Sequence, residues 1–138
     1  LGIAVITPHP RELSRLSGKS VTEIQENRIS TVRRLSQEWN VVLLLKGAFT
    51  VIGSPDASIF INPTGNSALS TAGSGDVLSG FIGAFMAQGL SPLHATLTGA
   101  FLHGLAADCF VEQNNSNYMV ASDLFEGLRL ARNSIKIH

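Results

Sequence analysis

The strongest chemical signal in the sequence is a short glycine-rich segment, Thr71-Ala72-Gly73-Ser74-Gly75-Asp76, that leads into an apolar helical pattern. Glycines leave backbone N–H groups uncovered, and the start of a helix carries a partial positive charge. The segment therefore predicts an anion site suited to phosphate. Asp76 beside it could accept a proton from a hydroxyl that attacks a phosphoryl group. The alternative interpretation is that Asp76 is a helix cap and the glycines form a tight turn.

This segment does not match two common phosphate motifs. Leu78 stands where a dinucleotide fingerprint needs its last glycine, and no Lys-Ser or Lys-Thr follows Gly75 as a Walker loop requires. A phosphate bound here would use a different cradle.

A second candidate segment is Lys46-Gly47-Ala48-Phe49-Thr50, which follows the apolar run Val41–Leu45. That run is apolar on both alternating faces, which is typical of a strand buried in a parallel α/β sheet. Ligands of such sheets lie beyond the carboxyl ends of strands, where Lys46 could neutralise a phosphate and Gly47 could permit close approach. The alternative is an ordinary turn with a solvated lysine.

The third candidate is His9, held between two prolines in Thr7-Pro8-His9-Pro10, where a stiff loop could position a side chain at a ligand. A surface histidine without a function is the alternative. His94, His103 and Asp108 lie in an apolar helical region without the i, i+4 spacing of a helical metal site, so we interpret them as packing residues and predict no metal site.

The elements that must position these residues follow from periodicity and capping signals. The sequence predicts a strand near Ile3–Thr7, a short helix from Pro10, a continuous helix from Ser20 to Trp39, the buried strand Val41–Leu45, a hairpin of Thr50–Gly53 and Ser58–Ile61, a loop over Asn62–Gly75, and helices starting at Asp76, Pro92 and Ser122 or Asp123. In the first helix, Leu13 and Leu16 are expected on one side. This order predicts an α/β fold.

Composition narrows the functional classes. The 138 residues are 44% hydrophobic and 14% charged, and ten Lys+Arg balance ten Asp+Glu. An even balance without a basic block argues against nucleic acid or a membrane as partner, and the single Cys109 excludes an internal disulfide framework. The low charge content, against about 25% in an average domain, suggests surface covered by further chain or another subunit, so we expect a homo-oligomer. We also expect a soluble cytoplasmic protein.

These segments, in this order, resemble the ADP/ATP-dependent NAD(P)H-hydrate dehydratases. The resemblance covers nearly the whole chain from about Ile3, and five motifs in register carry it. They are Val5-Ile6-Thr7-Pro8-His9-Pro10-Arg11-Glu12-Leu13, Leu45-Lys46-Gly47-Ala48, Asn62-Pro63-Thr64-Gly65-Asn66, Ala72 to Gly80 with Ala87-Gln88-Gly89-Leu90, and Leu102-His103-Gly104 with Asp108. One departure is Ala72, where the family commonly has glycine.

The resemblance implies a ribokinase-like α/β fold with a mostly parallel sheet flanked by helices. Residues 1–138 would be the C-terminal portion of a single nucleotide-binding domain, and we expect this portion not to be stable alone. The implied reaction repairs hydrated NADH or NADPH with ADP or ATP and Mg²⁺, assisted by a fused or separate NAD(P)H-hydrate epimerase. Asp76 would be the catalytic base and also contact the substrate, together with His9 and Asn66. The nucleotide would bind through two segments, Lys46, Gly47, Ala48, Phe49 and Thr50 in one and Gly73, Ser74 and Gly75 in the other.

Two other functions stay open at this point. A kinase for a vitamin precursor or sugar-type molecule would use Asp76 and the glycine loop unchanged. A nucleotide-binding fragment without activity would keep the loop and lack the chemistry.

Overall fold

Apolar runs and amphipathic helical segments alternate along the chain, and the computed structural model, which describes residues 3–135, shows four strands and six α-helices over that range. In chain order they are β1 (Ala4–Ile6), α1 (Pro10–Ser17), α2 (Val21–Glu26), α3 (Arg28–Trp39), β2 (Val41–Leu45), β3 (Val51–Gly53), β4 (Ile59–Ile61), α4 (Ser74–Ala87), α5 (Pro92–Asn114) and α6 (Asp123–Ser134). A 3₁₀ turn, Ser67–Ser70, precedes α4.

The chain divides into two compact units. The first comprises Leu1–Asn62 with Leu90–Leu97, and the second comprises Pro63–Gly89 with Thr98–His138. The first unit holds all four strands, and the second holds α4, most of α5 and α6.

The sheet of the first unit has the order β1-β2-β3-β4. β1 and β2 are parallel, with Val5 opposite Val42, whereas β2–β3 and β3–β4 are antiparallel. The sheet is therefore mixed. The tight connection Ser54–Ser58 makes β3 and β4 antiparallel neighbours, which is the predicted hairpin. β2 is buried on both faces, as the uninterrupted apolar run predicts.

One face of this sheet packs against α3, and buried hydrophobic side chains form the core there. Its buried members are Leu13, Ile24, Val32, Leu35, Leu43, Leu45 and Val51. α3 approaches β3 so closely that a Cβ on Gly53 would lie 2.7 Å from Val32 Cγ1. The buried Ser36 hydroxyl donates to the carbonyl of Ser54 at 3.1 Å, which ties α3 to the hairpin.

The continuous helix predicted from Ser20 to Trp39 is wrong, because the structure has two helices separated at Asn27. Asn27 leaves the helical conformation, with φ of −131° and ψ of 40°. Its side-chain Nδ2 donates to the carbonyl of Glu23 at 3.1 Å, so the asparagine competes with the backbone ladder as short polar side chains do. Leu16, predicted to pack beside Leu13, is instead 62% exposed.

The core of the second unit combines three alanines with two larger hydrophobic residues. Ala68, Ala106, Ala107, Met119 and Leu124 are buried together. Within residues 3–135, no helix is both long enough and apolar enough to cross a bilayer.

Candidate functional site

The predicted anion loop lies at the start of α4, and the helix begins at Ser74, two residues earlier than the sequence predicts. Gly73 is the N-cap, with φ of 83°, a left-handed conformation that glycine adopts without steric penalty. The N–H groups of Asp76 and Val77 both donate to the carbonyl of Gly73, at 3.1 and 3.2 Å. The N–H of Gly75 donates to no backbone carbonyl within residues 3–135. This N–H group at the start of the helix is therefore available to bind an anion.

Asp76 is the third residue of α4, and its side chain is exposed. No side chain caps α4, so the alternative in which Asp76 is the helix cap is wrong; the cap is Gly73. A negative charge in the first turn of a helix is attracted by the helix dipole. The start of α4 therefore offers a free carboxylate one residue from an available N–H donor.

His103 on α5 contacts the start of α4 through Ser74. Its Nε2 lies 2.9 Å from the carbonyl oxygen of Ser74 and 3.3 Å from the Ser74 hydroxyl, and all three atoms are buried. The imidazole also packs edge-on against Phe81, with ring centroids 6.1 Å apart. The interpretation of His103 as a packing residue is confirmed, and the buried Ser74 hydroxyl is directed at the histidine.

The loop that carries Asn66 is held to α5 by Asp108. The Asp108 carboxylate accepts the N–H of Gly65 at 2.9 Å and the Nδ2 of Asn66 at 2.8 Å, one bond on each oxygen. Asn66 Oδ1 accepts the N–H of Ala68 at 2.9 Å and so caps the 3₁₀ turn. Asn66, a predicted substrate residue, thus has a structural role. Asp108, interpreted from the sequence as a packing residue, joins the Asn66 loop to α5.

In the first unit, the Lys46–Thr50 segment forms the turn between β2 and β3. The Lys46 N–H donates to the carbonyl of Pro8 at 3.0 Å, which joins the turn to the loop before α1. Lys46 Nζ lies 3.7 Å from Glu12 Oε2. Phe49 at the tip of the turn is 68% exposed. The lysine is therefore paired rather than simply solvated.

The N-terminus of α1 is capped by His9. Its Nδ1 accepts the N–H of Glu12 at 3.1 Å, and the Glu12 carboxylate accepts the N–H of His9 at 2.7 Å, which completes a capping box. The hydrogen bond from the His9 backbone is the main cause that lowers the pKa of Glu12, and the charge of Lys46 adds to it. His9 thus has a structural role as the cap of α1, which the alternative of a surface histidine without a function did not include. Because Glu12 contacts both His9 and Lys46, it joins two predicted site segments in this unit.

Arg28, at the start of α3, is a residue that sequence reasoning missed. Its Nη2 lies within hydrogen-bond distance of the carbonyls of Leu45, Lys46 and Phe49, at 3.1, 3.3 and 3.2 Å. The Arg28 guanidinium also packs against Gly47, since a Cβ on Gly47 would lie 2.6 Å from Nη2. The close approach that Gly47 permits is therefore first of all an approach by Arg28.

An open groove of about 890 Å³ lies beside this turn, a volume within the range of small-molecule sites. Its walls come from the α2–α3 junction and from the turn, with Arg28, Arg33, Gly47, Ala48, Phe49 and Ile61 among the lining residues. Within residues 3–135, no group of three or more His, Cys, Asp or Glu side chains is arranged to hold a metal ion.

The sequence profile of the NAD(P)H-hydrate dehydratase family matches residues 2–129. A relative from Moorella thermoacetica, a bifunctional NAD(P)H-hydrate repair enzyme, is 49% identical over 127 residues, which are 92% of this chain and 24% of that protein.

Two solved structures show the same fold. The crystal structure of the ADP/ATP-dependent NAD(P)H-hydrate dehydratase from Bacillus subtilis, co-crystallised with ATP and Mg²⁺, is 34% identical with a TM-score of 0.91, covering 98% of this chain and 50% of that one. A ribokinase-like superfamily protein from Enterococcus faecalis is 27% identical with a TM-score of 0.75, covering 94% and 44%. The predicted ribokinase-like α/β fold is confirmed, and the chain spans between a quarter and a half of the length of these proteins.

Proposed function

Because this chain belongs to the NAD(P)H-hydrate dehydratase family, we propose that the protein containing it uses ADP or ATP to dehydrate hydrated NADH or NADPH and so restores the reduced cofactor. We propose likewise that residues 1–138 form the C-terminal portion of the nucleotide-binding domain of that protein.

The chemistry couples a poor leaving group to phosphoryl transfer. The hydroxyl of the hydrated nicotinamide attacks the terminal phosphorus of the nucleotide, a P–O bond to the substrate forms, and the P–O bond to the departing nucleotide breaks. The proton of that hydroxyl passes to a base. Phosphate then leaves with the former C–O electron pair, and a proton is lost from the neighbouring ring carbon as the double bond returns. The net products are NAD(P)H, inorganic phosphate, and ADP from ATP or AMP from ADP.

The observation that carries this proposal is the start of α4, where an exposed carboxylate stands beside a helix N-terminus that no side chain caps. Gly73 supplies the left-handed cap without a side chain, and the Gly75 N–H is free of backbone acceptors within the described residues. An anion at this N–H would lie next to Asp76, the group we assign as the base for the attacking hydroxyl.

We assign two segments to the nucleotide. In the second unit, Gly73, Ser74 and Gly75 would act through their backbone, because the Ser74 side chain is buried against His103. In the first unit, the turn Lys46–Thr50 borders a groove of sufficient size and exposes Phe49, whose ring could stack on a base. The Bacillus structure was obtained with ATP and Mg²⁺. Mg²⁺ bound with the nucleotide would be held mainly by phosphate oxygens and water, and it would offset phosphate charge.

The substrate is assigned to His9 and Asn66 in addition to Asp76. His9 is half-exposed, and its Nε2 lies 3.4 Å from Glu12 Oε1. Asn66 is held rigidly by Asp108, which suits a positioning role. Both assignments are proposals that rest on the family motifs.

The test is turnover of hydrated NADH by the full-length protein, followed by the absorbance of the restored dihydronicotinamide, with ADP and ATP supplied separately. Asp76→Asn keeps the shape and removes the base, so it should lower kcat roughly 10²–10⁴-fold while nucleotide affinity measured by calorimetry stays near wild type. Asp123→Asn removes a carboxylate from the first turn of α6 and is the matched control, with turnover expected near wild type. Near-normal turnover of Asp76→Asn would refute the catalytic assignment.

The same assay separates the other functions. A kinase would consume nucleotide and accumulate a stable phosphorylated product of a different substrate, whereas a fragment without activity would bind nucleotide and consume none.

The Moorella relative is described as bifunctional, and we propose that an NAD(P)H-hydrate epimerase accompanies the dehydratase here, fused or separate. The homo-oligomer and the cytoplasmic location stay predictions.

A further inference from the structure

Arg28 is enclosed by the turn that we assign to the nucleotide. Its Nη2 is shared among three backbone carbonyls, those of Leu45, Lys46 and Phe49, and its Nη1 donates to Gln25 Oε1 at 2.7 Å. Both terminal nitrogens of the guanidinium thus have protein acceptors, which favours a structural role over direct contact with a ligand.

The contacts fix the orientation of the peptide between Lys46 and Gly47. In a planar trans peptide the C=O and N–H point in opposite directions. Because the Lys46 carbonyl faces the guanidinium, the Gly47 N–H faces away from it. The absence of a side chain at Gly47 is required for this arrangement, since a Cβ there would lie 2.6 to 2.9 Å from three guanidinium atoms of Arg28.

A lysine could not reproduce this arrangement. Arginine presents donors in a rigid planar fork, whereas an ammonium group is a compact point charge that cannot reach several separated acceptors at once. Burial lowers the pKa of the Arg28 guanidinium, yet arginine retains its charge at neutral pH because its ordinary pKa lies far above neutrality. The positive charge therefore stays available to the three carbonyl dipoles.

We propose that Arg28 is the positioning residue of the nucleotide-binding turn: it holds Lys46–Thr50 in the conformation that receives the adenine nucleotide, without contacting the ligand. The identity of the ligand rests on the proposed function, but the conformational role rests only on the contacts of Arg28.

The experiment compares Arg28→Gln and Arg28→Lys with Arg34→Gln in the full-length protein. Arg34 lies on the same helix with an exposed side chain, and it is not among the residues that line the groove. Hydrogen exchange is measured at the Lys46 amide, which is protected by its bond to the Pro8 carbonyl. Affinity for ADP and for ATP is measured by calorimetry, and kcat is measured at saturating nucleotide.

Both Arg28 variants should speed exchange at Lys46 and weaken nucleotide binding by about tenfold or more, as expected for loss of charge-assisted hydrogen bonds. KM for the nucleotide should rise by a similar factor while kcat changes little, and Arg34→Gln should change none of these. Gly47→Ala disturbs the same contact from the other side and should speed exchange as well.

Unchanged exchange at Lys46 in Arg28→Gln would overturn the proposal. If the wild-type protein binds nucleotide, faster exchange in Arg28→Gln with unchanged nucleotide affinity would also overturn it. A wild-type protein that binds neither nucleotide would refute the proposed function instead, and the exchange data would still decide whether Arg28 orders the turn.

Discussion

Gly104 on α5 lies directly against the backbone of Thr64, so closely that a Cβ on Gly104 would stand 2.6 Å from the Thr64 carbonyl carbon and 2.7 Å from its oxygen. The Thr64 hydroxyl donates to the carbonyl of Phe101 at 2.8 Å, one turn earlier on the same helix. Together with the Asp108 carboxylate, these contacts fasten the Pro63–Asn66 loop to α5. These contacts explain why the family-motif residues of the loop and those of α5 lie next to each other in the structure.

We predict that Gly104→Ala destabilises the protein by about 1–3 kcal/mol, the range for overpacking, because the backbone of Thr64 cannot move aside as a flexible side chain would. The free energy of unfolding in urea measures this. Gly83→Ala is the matched control: Gly83 is also inside a helix, and no heavy atom of residues 3–135 beyond its own helix backbone and chain neighbours lies within 4 Å of its Cβ position. That variant should gain up to about 1 kcal/mol. Equal stability of both variants would contradict the close contact.

We predict that two roles of His9 can be separated. His9→Ala removes the helix cap and should lower the free energy of unfolding by about 1 kcal/mol, whereas His9→Asn retains a capping acceptor and should lose only a few tenths. Both variants remove the imidazole, so both should raise the KM for hydrated NADH to a similar extent. Steady-state kinetics and thermal unfolding on the same samples provide the comparison. A normal KM in His9→Asn would leave His9 with the capping role alone.

We predict that Glu12 makes stability depend on pH in the acid range. Its pKa is lowered in the folded protein from the ordinary value of 4.5, chiefly by the His9 backbone hydrogen bond. The folded state therefore favours the ionised carboxylate. This contribution is complete above pH 4.5 and is lost as the pH falls through the lowered pKa.

The measurement compares the Tm of wild type and Glu12→Gln across pH. The wild-type advantage should be constant near neutral pH and should shrink as the pH falls below about 4.5. Glu38→Gln, at an exposed position of α3, controls for the loss of one carboxylate. A difference that does not vary with pH would show that the charge of Glu12 has no part in it.

Local features of this protein were readable from its sequence because they depend on near neighbours. The doubly buried strand Val41–Leu45, the hairpin that follows it, and the glycine-rich start of α4 each show in a window of a few residues. Capping at Ser20 and the helix end at Asn40 are of the same kind. The motifs in their order were enough to predict the family and the fold.

The partners of the site residues were decided by tertiary structure alone. Arg28 contacts the carbonyl of Leu45 across 17 residues of sequence, and Asp108 contacts Asn66 across 42. Such pairs leave no periodic pattern, because each depends on how separate elements pack. The same holds for Gly47: its sequence position suggested room for a ligand, while the folded chain fills that room with a guanidinium. Local propensity sets where the elements begin and end, but only packing determines which buried donors meet which carbonyls.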